Sequence, residues 1–345
     1  MPIFKKLIAT LLLTASVAPI SAAVAQESID EVRFAWAGGP RTWVLGQIDK
    51  SFDHAFNAPV KWIAFNSGAD VLALFAAKEI DIARFGSSPA AAGIARGLPI
   101  EVIGVQEIIA TSERLIAKPG INSLKDLEGK RVAYPANSTA QFAFEQAIQL
   151  ASNGADRSKI HTVALKPAEI VSAWQRGDID AAYVWGPFSQ QLEAEQGKAL
   201  FATQDLANYG VLVFNNYVVR KEFADQHPEL IVKFLEVAQE KADEYLADPH
   251  AASEKIAQHL QIPVETVSAT LAGLTYPSIT EQLTVDYLGD STTKTDSRIT
   301  HSYKSAADFL ANIGELRPSD VPASYAGAIN TRYLEQAAHN AAAKP

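Results

Sequence analysis

Three short stretches of the chain place small hydroxyl or amide residues directly before helix-like segments. They are Asn66-Ser67-Gly68, Gly86-Ser87-Ser88-Pro89 and Asn137-Ser138-Thr139. Ser, Thr and Asn are ordinary helix N-caps, so a purely structural role is open for each stretch. A helix start also offers unpaired N–H groups and the positive end of the helix dipole, which suit an anion. Because no basic residue lies at the tips of the three stretches, we predict an anion site built from neutral donors.

The net charge of the chain indicates that an anion would be bound by local hydrogen-bond donors and not by the overall electric field of the protein. The chain has 30 basic and 39 acidic residues, a formal net charge of −9. Such an acidic protein without a basic cluster is a poor binder of nucleic acid or of anionic membranes. One hydrogen bond to a charged oxygen contributes about 1.5–3 kcal/mol. Four or five such bonds could therefore hold a small anionic group without Lys or Arg.

Aromatic residues near the predicted loop tips supply the second candidate feature. Trp36 follows the first predicted strand, Trp185 ends a later one, and Phe142 lies one turn into a helix. Such rings form apolar walls, and a Trp face can hold an ammonium group. Core packing or a contact between lobes is the alternative for each ring. Trp43 and Trp62, inside a helix and a strand, are predicted to be core residues.

The elements that must position these residues alternate between strand and helix patterns. Predicted strands cover residues 32–36, 60–65, 81–85, 100–105, 131–134, 161–165 and 181–185, with helices between them. The alternation predicts an α/β fold whose sheets are mostly parallel. One strand-to-helix junction occurs twice, as "LFAAKEIDIARFGSSPA" and "WQRGDIDAAYVWGPF". We therefore predict two lobes, with ligands beyond the carboxyl ends of their strands.

The predicted boundaries divide the chain into four segments. Residues 1–25 have a basic start, a short apolar run and a small-x-small end, and they are predicted to be a signal peptide. Residues 26–110 form the first part of lobe 1 and residues 111–215 form lobe 2. Residues 216–345, which are mainly helical in pattern, are predicted to complete lobe 1.

The residue types also indicate whether metal, thiol or enzyme chemistry is to be expected and where the protein is located. The chain has no cysteine, so it has no disulfide, thiolate metal site or lipid-acceptor thiol. Its seven histidines are scattered, and neither a zinc-protease pattern nor a Gly-x-Ser-x-Gly elbow occurs. We therefore predict no metal, no cofactor and no enzyme activity. We expect an exported protein that is not lipidated.

Two long stretches resemble a known family. "FNSGADVLALFAAKEIDIARFGSSPAAAGIARGLPIEVIG" and "AEIVSAWQRGDIDAAYVWGPF" are similar to the periplasmic substrate-binding proteins of sulfonate ABC importers, especially the taurine-binding ones. The resemblance covers about residues 31–237. It implies a two-lobed type II binding-protein fold with a helical C-terminal part. It further implies a monomer that closes on one small ligand and delivers it to a membrane permease.

The resemblance also implies which residues bind the ligand. The matching positions are Ser67, Gly68, Ser87, Ser88, Glu113, Ser138, Thr139 and Trp185. Glu113 is the candidate carboxylate for the ammonium group of taurine, with a surface or hinge ion pair as its alternative. The chain has Asn215 where taurine-binding relatives place an Asp, and Ala37 where a polar residue is expected. Because both changes fall on the amine side, the resemblance implies an organosulfonate more firmly than taurine itself.

Other ligands and another class of protein stay open. An alkanesulfonate, a sulfate ester, hypotaurine or another small anionic solute would suit the same donors. An enzyme on the same fold is the alternative class, because the superfamily includes a pyrimidine synthase that relies on a His and a Cys-rich motif. The chain has no cysteine to supply that motif.

Overall fold

The structure is a computed structural model and describes residues 29–343. The predicted signal peptide lies outside the described residues. The strands in this range are β1 Val32–Trp36, β2 Val60–Ala64, β3 Ile82–Gly86, β4 Ile100–Ile109, β5 Glu113–Ala117, β6 Arg131–Tyr134, β7 His161–Ala164, β8 Ala181–Trp185, β9 Lys198–Ala202, β10 Phe214–Arg220 and β11 Leu274–Thr275. They form two separate sheets. The first sheet has the order β11-β4-β10-β3-β1-β2 and the second has the order β7-β6-β8-β5-β9.

Helices flank both sheets. They are α1 Val44–Ile48, α2 Ser51–Phe56, α3 Gly68–Ala76, α4 Ser87–Ala95, α5 Thr139–Ala151, α6 Pro167–Arg176, α7 Phe188–Ala194, α8 Lys221–Gln226, α9 Pro228–Ala247, α10 Pro249–Leu260, α11 Val264–Ala272, α12 Ile279–Gln282, α13 Arg298–Asn312 and α14 Arg332–Ala342. None of the helices in residues 29–343 is both long and apolar enough to span a bilayer.

The sheets are mixed, which corrects the prediction of mostly parallel sheets. β1 is parallel to β2 and β3, and β6 is parallel to β7 and β8. β10 is antiparallel to β3 and β4, and β5 is antiparallel to β8 and β9. The physical reason is the path of the chain between the sheets. The chain leaves the first sheet at the C-terminal end of β4 and re-enters it at the same end of the sheet, at the start of β10. These two strands therefore run in opposite directions.

The chain crosses between the sheets twice. β4 ends at Ile109 and β5 of the second sheet begins at Glu113, so the predicted boundary at residue 110 falls in the first crossing. β10 begins at Phe214, so the predicted boundary at residue 215 falls inside a strand of the first sheet. We call the first sheet with its helices the first lobe, and the second sheet with its helices the second lobe.

The helical C-terminal part packs mainly on the first lobe. The ring of Phe234 in α9 lies 5.7 Å from that of Phe34 in β1 and 5.4 Å from that of Phe52 in α2. Tyr303 in α13 donates a 2.6 Å hydrogen bond to Asn216 in β10. Since Phe234 also packs on Tyr217, the neighbour of Asn216 in β10, α9 and α13 cover opposite faces of the first sheet.

Candidate functional site

Segments from both lobes surround one cavity, which we call the main cavity. It is lined by Ala37, Arg41, Phe65, Asn66, Ser67, Gly68, Arg84, Phe85, Gly86, Pro89, Ile109, Ser112, Glu113, Asn137, Ser138, Thr139, Trp185 and Asn215. Its volume is about 60 Å³, whereas one buried water needs about 10–15 Å³. The cavity therefore fits a solute of a few non-hydrogen atoms. Loops at the ends of β2, β3, β6 and β8 meet around it.

The loop after β2 contributes a helix start to the main cavity. The Oγ of Ser67 accepts the N–H of Asp70 at 3.1 Å, so Ser67 is the N-cap of α3. This bond leaves the hydroxyl hydrogen of Ser67 available to a ligand. The first N–H groups of α3 likewise lack helical partners. A Cβ at Gly68 would lie 2.5 Å from the carbonyl oxygen of Asn137 in the other lobe, so the close approach of the two lobes requires glycine here.

The start of α5 lines the opposite side of the main cavity, but both of its hydroxyl hydrogens are already used. Ser138 caps the helix by accepting the N–H of Gln141 at 3.2 Å, and it donates to the carbonyl of Pro135 at 2.5 Å. Thr139 donates to Glu113 at 2.7 Å. These two hydroxyls therefore support the site and are not its free donors.

The loop after β3 places only part of its predicted stretch on the cavity. Gly86 and Pro89 line the main cavity, but Ser87 and Ser88 do not. Both serines are almost fully buried, and neither Oγ has a hydrogen-bond partner among residues 29–343. α4 begins at Ser87, and residues three apart share one helix face. Gly86 and Pro89 therefore border the cavity directly, and ligand binding by Ser87 and Ser88 stays a prediction.

The three predicted aromatic residues lie in different surroundings. Trp185 lines the main cavity, whereas Trp36 and Phe142 do not. The ring of Trp36 packs edge-on against Trp43 with centroids 5.1 Å apart. Phe142 is buried against Phe309, with centroids 5.5 Å apart, where α5 meets α13. Both rings lie in packing clusters, which agrees with the alternative of core packing, and a ligand contact for them stays a prediction.

Two arginines line the main cavity, so the expectation of a site with only neutral donors is wrong. The Nε of Arg41 donates to Glu107 at 3.0 Å, and its Nη1 donates to the carbonyl of Pro40 at 2.6 Å. Arg84 donates from Nε to Gln106 at 2.6 Å and from Nη2 to the same oxygen of Glu107. Nη2 of Arg41 and Nη1 of Arg84 make no hydrogen bond within the described part of the chain.

The charges of this cluster leave the first-lobe wall positive. Glu107 is fully buried and its charge offsets one of the two guanidinium groups. Burial lowers the pKa of Arg84 to about 10, which keeps it charged at neutral pH. Asn215 donates from Nδ2 to Glu107 at 2.8 Å, so its amide helps to fix the carboxylate. One net positive charge and two free guanidinium nitrogens can bind one anionic group.

Glu113 supplies an opposite charge from the second lobe. Its carboxylate accepts hydrogen bonds from Thr139 at 2.7 Å and from Thr203 at 3.2 Å, one on each oxygen. The hydroxyl of Tyr183 lies 3.0 Å from that of Thr203 and completes the chain of polar contacts. Burial raises the pKa of Glu113 to about 7, against the opposing effect of these hydrogen bonds and of the arginines. Glu113 can therefore change its charge near neutral pH.

The sequence contained a signal for Arg84, which lies outside the predicted loop tips. Arg84 lies within the apolar strand "IARFG" and Glu107 lies within "IEVIGVQEII". A charged residue in a buried strand requires a partner of opposite charge. Arg41 follows the Gly-Gly-Pro turn after β1 and has no such local signal. No group of His, Cys, Asp and Glu within residues 29–343 could hold a metal ion.

The fold and the site together define a two-lobed, type II solute-binding architecture with its cavity between mixed sheets. Comparison with known proteins then gives the family. Residues 59–252, more than half of the chain, match the family described as NMT1/THI5 like. The chain belongs to this family.

Two similar proteins are named for sulfur compounds. The chain is 34% identical over 238 residues to the taurine-binding periplasmic protein of Escherichia coli (strain K12), covering 67% of this chain and 73% of that protein. The structure also matches the alkanesulfonate-binding protein SsuA from Xanthomonas axonopodis pv. citri bound to MOPS, with a TM-score of 0.72 and 18% identity. That match covers 88% of this chain and 99% of the other.

The fold also occurs in an enzyme. The desulfurization enzyme DSZB matches with a TM-score of 0.60 and 13% identity over 90% of this chain and 99% of that protein. Similarity at this level shows the fold alone. Proteins that bind solutes and proteins that convert them therefore share this architecture.

Proposed function

We propose that this protein is the periplasmic solute-binding component of an ABC importer and captures taurine or a related small organosulfonate. The observation that carries the proposal is the pair of oppositely charged walls in the main cavity. Arg41 and Arg84 on the first lobe suit a sulfonate, and Glu113 on the second lobe suits an ammonium group. Taurine carries these two charges on a two-carbon chain, which fits a cavity of about 60 Å³.

The capture mechanism follows from the two walls. The sulfonate binds first to the guanidinium groups, to the hydroxyl of Ser67 and to the N–H groups at the start of α3. Charge-assisted hydrogen bonds of this kind are about twice as strong as neutral ones. The second lobe then closes with Glu113 and Trp185. Because Gly68 and Asn137 approach closely, closure excludes water from the cavity.

Ligand binding shifts the balance between open and closed forms only by its differential affinity for them. A ligand that contacts both walls favours the closed form more than a ligand that contacts one wall. We infer that the closed form of a monomer is what a membrane permease of the importer recognises. The predicted signal peptide and the absence of cysteine in the sequence support a freely soluble periplasmic location.

Binding without conversion is the proposed activity, although an enzyme shares the fold. The chain has no cysteine, and the polar groups of the cavity already hold one another in place. The carboxylate of Glu113 has two hydroxyl partners, and both arginines are bonded to Glu107. Charged groups fixed in this way suit recognition of the charges of a ligand.

A thermal-unfolding screen of the protein with taurine, isethionate, ethanesulfonate, sulfate and nitrate tests the proposal. A ligand at 100 times its Kd stabilises a protein by about 2.7 kcal/mol. We expect taurine and ethanesulfonate to raise the Tm by several degrees, and nitrate to have no effect. Mass spectrometry of the recovered ligand checks that it is unchanged. Failure of every sulfonate to raise the Tm would refute the proposed function, and conversion of taurine would support the enzyme alternative.

A further inference from the structure

Gln106 lies at an irregular point of β4, next to the first-lobe wall of the main cavity. Asn215 of β10 is aligned with Glu107, whereas Asn216 is aligned with the residue before Gln106, so Gln106 is the extra residue of a β-bulge. Successive side chains of a regular strand point to opposite faces of the sheet. The bulge changes this alternation, because Gln106 and Glu107 both bind the guanidinium group of Arg84.

These two contacts leave one nitrogen of Arg84 for a ligand. Nε donates to Oε1 of Gln106 at 2.6 Å, and Nη2 donates to Glu107. A guanidinium group is planar and has its donors in a fixed fork, so two anchored nitrogens set the direction of the third. Arg84 lines the main cavity, and Nη1 is the nitrogen that Gln106 and Glu107 leave unbonded. Because Gln106 is neutral, it fixes Arg84 without offsetting its charge.

The amide of Gln106 has a second polar atom that no protein group satisfies. Nε2 is buried and makes no hydrogen bond within the described residues. Gln106 also lines a small cavity of about 20 Å³ between the first sheet and α9. One buried water needs about 10–15 Å³, so this cavity has room for one. Thr42 and Tyr217 line the same cavity and carry hydroxyl groups, which gives such a water further polar partners.

We propose that Gln106 is a positioning residue for Arg84, and that one internal water bound to Nε2 of Gln106 completes this support. The inference rests on the proposed function, because it takes Nη1 of Arg84 as a donor to the sulfonate. Without the amide oxygen, Nε of Arg84 loses its anchor and the guanidinium group can turn about its bond to Glu107. Loss of one charge-assisted hydrogen bond to the ligand corresponds to about a tenfold weaker affinity.

Calorimetry with taurine, isethionate and ethanesulfonate measures the effect of Gln106→Met, which removes the amide but keeps a side chain of similar volume. We expect all three affinities to fall by the same factor, roughly tenfold, because Arg84 contacts the group that the ligands share. Gln239→Met is the matched control and should leave the three affinities unchanged. Gln239 lines the same small cavity, but its amide binds the backbone of Ile279 and the carboxylate of Asp243 and not Arg84.

Nuclear magnetic resonance of the ligand-free protein separates positioning from a general loss of stability. With isotope-labelled arginine, the Nε–H signal of Arg84 is assigned from its absence in Arg84→Lys. This signal should shift and exchange faster with water in Gln106→Met but not in Gln239→Met. The side-chain amide of Gln106 should also show a nuclear Overhauser contact with a bound water. Absence of that contact would refute the internal water.

The outcomes separate this inference from the proposed function. If sulfonates bind and Gln106→Met leaves their affinities unchanged, the positioning role is refuted while the proposed function stands. A loss of affinity without a change in the Arg84 signal would also refute the positioning role. If no sulfonate binds the original protein, both proposals fall. Should Gln106→Met not fold, Gln106→Asn keeps the amide but shortens its reach by one methylene group, and it must show both effects.

Discussion

The two walls of the main cavity differ in charge and in how their groups are fixed. On the first lobe, Arg41 and Arg84 share one oxygen of the buried Glu107 and keep one terminal nitrogen each for a ligand. On the second lobe, Glu113 is held by Thr139 and Thr203, and its pKa lies near 7 because it is buried. The first wall has a permanent charge, and the second has a charge that depends on pH.

Under the proposed function, this difference gives the two lobes separate tasks. We propose that the first wall binds the sulfonate group, which every organosulfonate has in common. The second wall would then distinguish ligands by the group at their other end. The contrast gives the predictions below, which begin with the residue whose loss should disturb the protein most.

Arg84→Gln should abolish sulfonate binding and destabilise the fold. Removal of one partner from a buried ion pair typically costs about 3–5 kcal/mol, and the loss should be smaller here because Arg41 still pairs with the buried Glu107. Calorimetry and denaturant unfolding measure the two effects. The double variant with Glu107→Gln should be less stable still, because it leaves the buried Arg41 without a carboxylate partner, and it should not regain binding. Recovery of binding in the double variant would contradict a direct role of Arg84. Arg131→Gln, at an exposed pair with Asp180, is the control and should change neither measurement.

Glu113→Gln should weaken the binding of taurine by roughly 1.5–3 kcal/mol, since it removes a charged acceptor for the ammonium group. Isethionate carries a hydroxyl in place of the amine, so its affinity should stay the same or rise. Competition calorimetry with both ligands measures the ratio of the two affinities. An equal loss for both ligands would show that Glu113 has a structural role only.

Gly86→Ala should weaken the binding of every sulfonate by about 1–3 kcal/mol, the usual destabilisation caused by overpacking. The added Cβ would lie 2.6 Å from Cγ2 of Thr139 in the opposite lobe. The clash therefore opposes closure, and small-angle scattering with ligand should show a more open form. Thr139→Ser removes the methyl group but keeps the hydroxyl that binds Glu113. The double variant should regain its affinity for sulfonates. If its affinity stays low, the loss in Gly86→Ala does not come from the contact with Thr139.

The affinity for taurine should rise with pH between about 6 and 8, by at most about tenfold per pH unit. The reason is that Glu113 is neutral below its pKa of about 7 and becomes the partner of the ammonium group above it. The affinity for isethionate should fall over the same range. Glu113→Gln should remove both trends, and a pH dependence that persists in this variant would assign the titration to another group.

The same titration has a consequence for stability without ligand. The folded protein holds the proton of Glu113 more tightly than the unfolded chain, where the pKa is 4.5. Between pH 4.5 and 7 the folded state therefore binds more protons. The protonated Glu113 therefore contributes fully to the free energy of unfolding below pH 4.5. This contribution is lost as the pH rises to 7, by at most about 1.4 kcal/mol per pH unit.

Ser67→Ala should have the smallest effect. It removes the N-cap of α3 and should lower the free energy of unfolding by about 1 kcal/mol. Affinity should fall less than tenfold, because the guanidinium groups and the N–H groups of the helix start remain. Thermal unfolding and calorimetry measure the two quantities. A loss as large as that of Arg84→Gln would make the hydroxyl the principal donor and overturn the assignment of the first wall.

The comparison also shows what could be predicted from the sequence. Asn66-Ser67-Gly68 and Asn137-Ser138-Thr139 were identified from local patterns, since capping residues next to helix starts depend on a few neighbours only. Trp185 was found from a repeated junction. The antiparallel course of β10 could not be predicted, because strand direction depends on the crossings between the lobes.

The missed and misplaced residues share a physical cause. Ser87 and Ser88 lie at the start of α4 but do not line the cavity, since the assembled fold and not the local pattern decides which residues of this stretch border it. Arg84 was overlooked because its partner Glu107 lies 23 positions later and on another strand. Whether a buried charge has a partner is a property of the assembled sheet and not of a local stretch.

The position of β10 has a consequence for how the chain acquires its structure. β10 lies between β3 and β4 and pairs with both, yet about 110 residues separate the end of β4 from its start. A ribosome that releases the chain from its N-terminus therefore produces β1 to β4 well before their missing neighbour exists. The first lobe cannot close its sheet until residues 214–220 have been synthesised. Long-range pairing of this kind slows folding, so the first lobe remains incompletely folded while the chain of the second lobe is being made.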